Sequence, residues 1–322
     1  MLILNVAVEL AIMINKNTVF RYLLLFFIFC IPYIVDAQFY TGSQMVFGKN
    51  RIKYEDFFWT YYKYDRYDVY FYEEGRDLAN YVSKAAKKQI TSVEKFLDYA
   101  VDDRFQFIIY NKHSDFKQSN IGLSTDAQYN TGGTTTIVGN KVILYYEGDH
   151  DKLDEQIRKG VAQVVVNHIM YGGSVKDMLK NNTLLNLPDW YQKGLVSYVA
   201  YNWNSDVDNR VKDGILSGKY ANINRLEGED AIYAGHALWK YIADNYGEAV
   251  VSNILYMTKV SRNIDNSALF VLGISIRNLW DECLESYRGK YADRDATKLF
   301  PTDKPILSKP KSTRVYAQFK LS

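Results

Sequence analysis

The chain has only two cysteines in 322 residues, which excludes a fold stapled by several disulfides. Cys30 lies in an apolar leader that is expected to be removed, so Cys283 is left without an internal partner. There are four histidines, His113, His150, His168 and His236, and none stands three or four residues from another or from a cysteine. A helix-borne histidine pair for a metal is therefore missing. Charge of one sign is missing too: 39 basic residues against 37 acidic ones leave a net +2. That balance gives no electrostatic reason to expect a nucleic acid or an anionic membrane as partner. No G-x-S-x-G elbow occurs. The pairs Gly132-Gly133 and Gly172-Gly173 lack the context of a phosphate-binding loop, and no helix-turn-helix, RNA-recognition or zinc-finger pattern is present. Proline is scarce, with Pro188 alone between residues 38 and 299.

Tyrosine, by contrast, is abundant, with 28 in the chain and many between residues 54 and 72. Such rings suit binding surfaces, but most are expected in the core or on half-buried strands. Residues 13–37 read as a secretory signal peptide. Lys16 and Arg21 precede an apolar run over 22–35, and Ala37 stands before a cut ahead of Gln38. That run falls short of the roughly 20 residues needed to span a bilayer, so no transmembrane span is expected after cleavage, an uncleaved anchor being the competing expectation. Met13 is a plausible true start. The exported chain is thus expected to work in the periplasm or at the outer membrane.

Periodicity divides the rest. Strands are expected at 67–72 and 104–110, and a helix at 75–99. Segments 134–138 and 141–145 flank the turn dipeptide Gly139-Asn140 and read as a hairpin. Beyond residue 150 the patterns are helical: 154–171, 188–201 opened by Pro188, 231–246 stopped by Gly247, 249–257, 266–271 and 275–291. Residues 38–59 read as irregular and then amphipathic, 111–122 as a polar loop, and 206–226 as short helices or loops. Strands and helices mixed early, then helices alone, predict an α+β class: a sheet-containing lobe to about residue 150 and a helical lobe to 299. Pro301, Pro305 and Pro310 make 300–322 a linker. Its end, 314–321, alternates like the start of a truncated β-rich module. Asp149-His150-Asp151 reads as a solvated turn, His168 as half-buried, His236 as a cap or packing residue, and Cys283 as an inert thiol on an apolar helix face.

The chain is organised around the helix at 154–171. Leu153, Ile157, Val161, Val164, Val165 and His168 form its apolar stripe. Lys159 and Gln163, four apart, share the opposite face, with Gly160 between them. Two side chains at i and i+4, followed by a second helix with one more polar residue, form the framework on which a zinc site is built. The layout over residues 67–291 resembles the gluzincin-like metallopeptidases of the MA clan. The segments that carry the likeness are FQFIIYNKHSDFKQSN, the hairpin into DEQIRKGVAQVVVNH, LPDWYQKGLVSYVA and YAGHALWKYIADNYG. The resemblance implies a zincin-like fold, and it sets Lys159 at the first zinc histidine, Gly160 at the catalytic glutamate, Gln163 at the second histidine and Lys193 at the third ligand. All four are replaced. Two lysines would bring cations toward a dication, and glycine has no carboxylate to take a proton from metal-bound water.

The resemblance therefore implies a catalytically inactive domain with no metal and no cofactor. Such domains occur ahead of TolB-like β-propellers in secreted bacterial envelope proteins. The implied role is binding or scaffolding of a protein or an extended peptide. Strand addition along 141–145 places the peptide near Lys141, Ile143, Tyr145, Tyr146 and Tyr191. An active zinc peptidase with non-standard ligands and a rigid support without a ligand are the competing expectations.

Overall fold

The computed structural model describes residues 54–119, 136–172 and 187–296. The segments expected to be a signal peptide (13–37) and a linker (300–322), and residues 38–53, lie outside this range. Among the described residues five strands form one sheet in the order β1-β2-β3-β5-β4. The strands are β1 (Thr60–Lys63), β2 (Tyr67–Phe71), β3 (Phe105–Tyr110), β4 (Thr136–Val138) and β5 (Lys141–Tyr145). The three central strands, β2, β3 and β5, are mutually parallel, while β1 and β4 run antiparallel to their neighbours. This accounts for the near-continuous apolar runs FQFIIY and KVILY, because a parallel strand is covered on both faces.

Between β2 and β3 the chain passes through α1 (Arg76–Leu97), which ends at Asp98 in the left-handed region. A one-turn helix, α2 (His113–Phe116), follows β3 inside the expected polar loop. Six longer helices follow β5: α3 (His150–Tyr171), α4 (Asp189–Ala200), α5 (Ser205–Leu216), α6 (Gly228–Tyr246), α7 (Ala249–Ser261) and α8 (Ile264–Leu272); the last described element is α9 (Ile276–Ala296). The class is α+β with a helical C-terminal region, as the segregation of patterns implied.

Several local expectations need correction. β1 lies in the tyrosine run where no strand was expected. Its residues are mostly exposed and do not alternate, so only its pairing with β2 makes it a strand. The stretch from 206 contains a full helix, α5, with Asn204 as N-cap, followed by two single 3₁₀ turns. Pro188 is the N-cap of α4 rather than part of its first turn. Asp149-His150-Asp151 is not a free turn but the start of α3: the Asp149 carboxylate accepts from the amides of Asp151 at 2.9 Å and Lys152 at 3.4 Å. Asp149→Ala should cost about 1 kcal/mol, read as a melting point lower by roughly 2–4 °C.

The hairpin forms as the dipeptide implied. Val138 pairs with Lys141 across a two-residue loop, and Gly139 has φ 61°. Glycine at the first central position with φ positive is the type II′ pattern, whose twist suits the strands. The Asn140 side chain, at the tip, meets His168 Nε2 at 2.6 Å and ties the hairpin to α3. Helix α3 is the centre of the molecule. It packs against α1, β5, α4 and α7, and its C-terminal half is buried almost all round, from Val164 to Tyr171 except Asn167. The apolar stripe is thus only part of its buried surface. The tyrosines divide as expected: Tyr67, Tyr72, Tyr110, Tyr145, Tyr171, Tyr191, Tyr220, Tyr287 and Tyr291 are buried, while Tyr54, Tyr61 and Tyr256 are exposed.

Candidate functional site

Helix α3 carries Lys159, Gly160 and Gln163 in mid-helix, and α4 carries Lys193. Lys159 is half-buried, with its ammonium 5.9 Å from the centre of the Tyr201 ring. No carboxylate pairs with it among the described residues. Burial pulls its pKa below the usual lysine range. Burial also pushes the Tyr201 hydroxyl up to about 12, with Glu155 adding to the shift, so that group stays protonated. Arg158, the preceding residue, donates to the Val199 carbonyl, to Gln89 Oε1 at 3.0 Å and to Ser92 Oγ at 3.2 Å. Arg158 and Lys159 both lie at the C-terminal end of α4, where unpaired carbonyls carry partial negative charge.

Gln163 belongs to a polar ladder. Its Nε2 donates to Asn167 Oδ1 at 2.9 Å, and the same oxygen accepts from Gln192 Nε2 at 2.7 Å. Tyr171 in turn donates to Gln192 Oε1 at 3.1 Å. The side chain of α4 that bonds to this ladder is therefore Gln192. Lys193 turns outward and pairs with Asp189 at 2.8 Å, its side chain 54% exposed. Gly160 is buried in the helix body. So the structure brings Lys159, Gly160 and Gln163 onto one helix segment but does not bring the Lys193 ammonium to them.

The side chains at these positions do not fit the zinc that the resemblance would imply. A protonated ammonium has no lone pair to donate, and Gln163, whose Nε2 is tied to Asn167, offers only a neutral amide oxygen in place of an imidazole. Gly160 offers no base, and no group of three or more His, Cys, Asp and Glu stands together among the described residues.

The expected peptide-binding set is also redistributed. Lys141–Tyr145 is not an edge, because β5 pairs with β3 on one side and β4 on the other. The outer strand on that side, among the described residues, is β4. Beyond the end of β4, the main chain of Tyr145 is occupied from within the molecule. Its N–H donates to Gln156 Oε1 at 3.3 Å, and Gln156 Nε2 donates to its carbonyl at 3.2 Å. The carboxamide thus makes the two bonds that an added strand would make. Ile143 and Tyr145 are buried, and the Tyr145 ring stacks on His113 and Phe116. Tyr191 is elsewhere: it is 1% exposed, donates to Thr258 Oγ1 at 2.7 Å and accepts from Trp239 Nε1 at its carbonyl. Lys141 and Tyr146 are half-buried. The five residues do not line one surface.

Three residues that matter here, Gln156, Asn167 and Gln192, were not singled out in the sequence. The signal was present in part, since Gln156, Lys159, Gln163 and Asn167 recur at three and four on one helix face. A serine–histidine contact was also unforeseen. Ser197 Oγ lies 3.0 Å from His236 Nδ1, but His236 is 0% and Ser197 5% exposed. A substrate cannot reach this pair, so it is a packing contact rather than a nucleophile and base. The sequence matches no protein-family model and no curated protein.

Proposed function

We propose that this is a catalytically inactive peptidase-like domain that acts as a binding or scaffolding module in the bacterial cell envelope, joined to or paired with a TolB-like propeller. The single observation that supports it most is the fate of the polar face of α3. Where a zinc peptidase needs ligands turned toward a water, Gln163 is bonded into the Gln163–Asn167–Gln192 ladder and Lys159 presents an ammonium. The occupation of Tyr145 by Gln156 favours scaffolding over capture of a peptide along β5.

The test is metal analysis and proteolysis on the same preparation. Purified chain incubated with zinc and desalted should retain no stoichiometric metal, and it should not cleave casein. Bound zinc at one per chain, with cleavage abolished by a chelator, would return the domain to the active peptidases.

A further inference from the structure

We propose that the free edge of β1 pairs with β1 of a second copy of this chain, antiparallel and about a two-fold axis at Tyr61, so that two five-stranded sheets join into one. What carries it is an open row of main-chain groups. The Tyr64 N–H donates to the Tyr67 carbonyl at 2.9 Å, so that pair is hydrogen-bonded. The register runs on from it as Lys63–Asp68, Tyr62–Val69, Tyr61–Tyr70 and Thr60–Phe71. In an antiparallel ladder bonded and non-bonded pairs alternate. Tyr62 and Thr60 therefore turn their main chain toward β2, and Tyr61 and Lys63 turn theirs outward. Among the described residues the N–H and carbonyl groups of Tyr61 and Lys63 have no hydrogen bond. Native sheets commonly blunt such an edge with a proline or a bulge, and β1 has neither.

The side chains select a second copy as the occupant. Alternation places Trp59, Tyr61 and Lys63 on one face of the sheet and Thr60 and Tyr62 on the other. Pairing about Tyr61 sets Tyr61 against Tyr61, Tyr62 against Thr60 and Lys63 against Trp59. These are an aromatic pair, an aromatic with a β-branched residue, and a cation beside an indole, and no like charges face each other within the strand. The Tyr61 ring lies 5.1 Å from that of Tyr70, yet the residue stays 52% exposed. In the pair the rings of Tyr70 and Tyr61 from both copies form one row across the axis, which covers that exposed surface.

Charge sets the direction. The segment before β1 is acidic, with Glu55 and Asp56, and the far end of the strand is basic. There Lys63 and Lys87 line a cavity of about 390 Å³ between the β1–β2 turn and α1. Among the described residues neither lysine has an ion pair. Arg66, on the same wall, is already held by Glu94 at 2.7 Å, and Asp65 is the one carboxylate there. Antiparallel pairing brings the acidic arm of each copy toward the basic end of the other, whereas parallel pairing would set like ends together.

Sedimentation equilibrium of the full chain across about 1–200 μM tests the assignment, a range suited to a small interface of micromolar Kd. The parent should dimerise. Tyr61→Lys and Tyr61→Glu should each raise the dimer Kd by about tenfold or more, because like charges then face each other across the axis. An equimolar mixture of the two variants should return Kd toward the parent value. Tyr61→Pro should also abolish the dimer: within one chain that N–H bonds to nothing, so the fold accepts proline and only the bond to the second copy is lost. Far-ultraviolet circular dichroism of each variant should match the parent, which separates loss of pairing from loss of fold. A parent that stays monomeric over that range, a Kd unchanged in Tyr61→Lys, or a mixture no tighter than either variant alone would overturn the proposal.

Discussion

Gly235→Ala is expected to destabilise the protein by about 3 kcal/mol or more, seen as a melting point lower by roughly 6–12 °C. Helices α4 and α6 pack face to face, and they meet at glycine. A Cβ on Gly235 would stand 1.9 Å from the Trp190 carbonyl oxygen and 2.9 Å from Gly194 Cα. The obstacle is backbone on both counts, so no rotamer change relieves it. Only separation of the helices would, and that would open the packing of Trp190, Trp239 and Tyr191, all 1% exposed. Gly194→Ala should behave alike, because its Cβ would meet Gly235 Cα at 2.6 Å. The internal control is Gly289→Ala on α9. Nothing lies within 4 Å of a Cβ there, and the site is exposed. The same substitution should then stabilise, by up to about 1 kcal/mol, through helix propensity. Opposite signs for one chemical change would assign the cost at Gly235 to the close helix approach. A tolerated Gly235→Ala would show that α4 and α6 are further apart than described here.

The second large effect is loss of stability in acid, carried by His236. Its imidazole is fully buried between the rings of Tyr198 and Trp203, bonded to Ser197 through Nδ1, with Nε2 unpartnered. Burial lowers its pKa to about 4, and Lys240, one helical turn on, acts in the same direction. In the unfolded chain the group titrates near 6.5. Above about pH 6.5 both states hold a neutral ring and stability is at its full value. As pH falls from 6.5 toward 4 the unfolded chain takes up a proton that the folded chain refuses, so stability declines; below about 4 this contribution is exhausted. The loss is on the order of 3 kcal/mol. Urea unfolding at a series of pH values should show it, and His236→Gln should flatten the profile over that window by a comparable amount. His168 shifts in the same direction through burial, opposed by Asp103 and Asp102, and it remains in both proteins, so it cancels in the comparison. Profiles of equal slope for the two proteins would remove His236 as the cause.

How much of this was legible beforehand depends on the range of the interaction. The elements set by local periodicity and turn chemistry were readable: α1 from its three-and-four spacing, the hairpin from Gly139-Asn140, the end of α6 from Gly247. The polar face of α3 was readable as well, because Lys159 and Gln163 are neighbours by helical geometry alone. β1 was not, since an exposed edge strand has no side-chain pattern of its own. Lys193 and Gln192 are adjacent in sequence, and which one turns toward α3 depends on how α4 is rotated against α3 and α6. The Gly194–Gly235 contact fixes that rotation from a separation of 41 residues.

By itself, then, the sequence determined the α+β segregation, the hairpin, the central helix, and the shared polar face of Lys159 and Gln163 on it. Each follows from residue type or from spacing within one element. Only the tertiary structure decided that 141–145 is an inner strand, that Gln156 takes the main chain of Tyr145, that Tyr191 and His236 are sealed in the core, and that Tyr61 and Lys63 turn their main chain to an open edge. These depend on which distant segments pair and pack. Sheet order and helix rotation are set by burial summed over the whole core, a quantity that no local window of sequence contains.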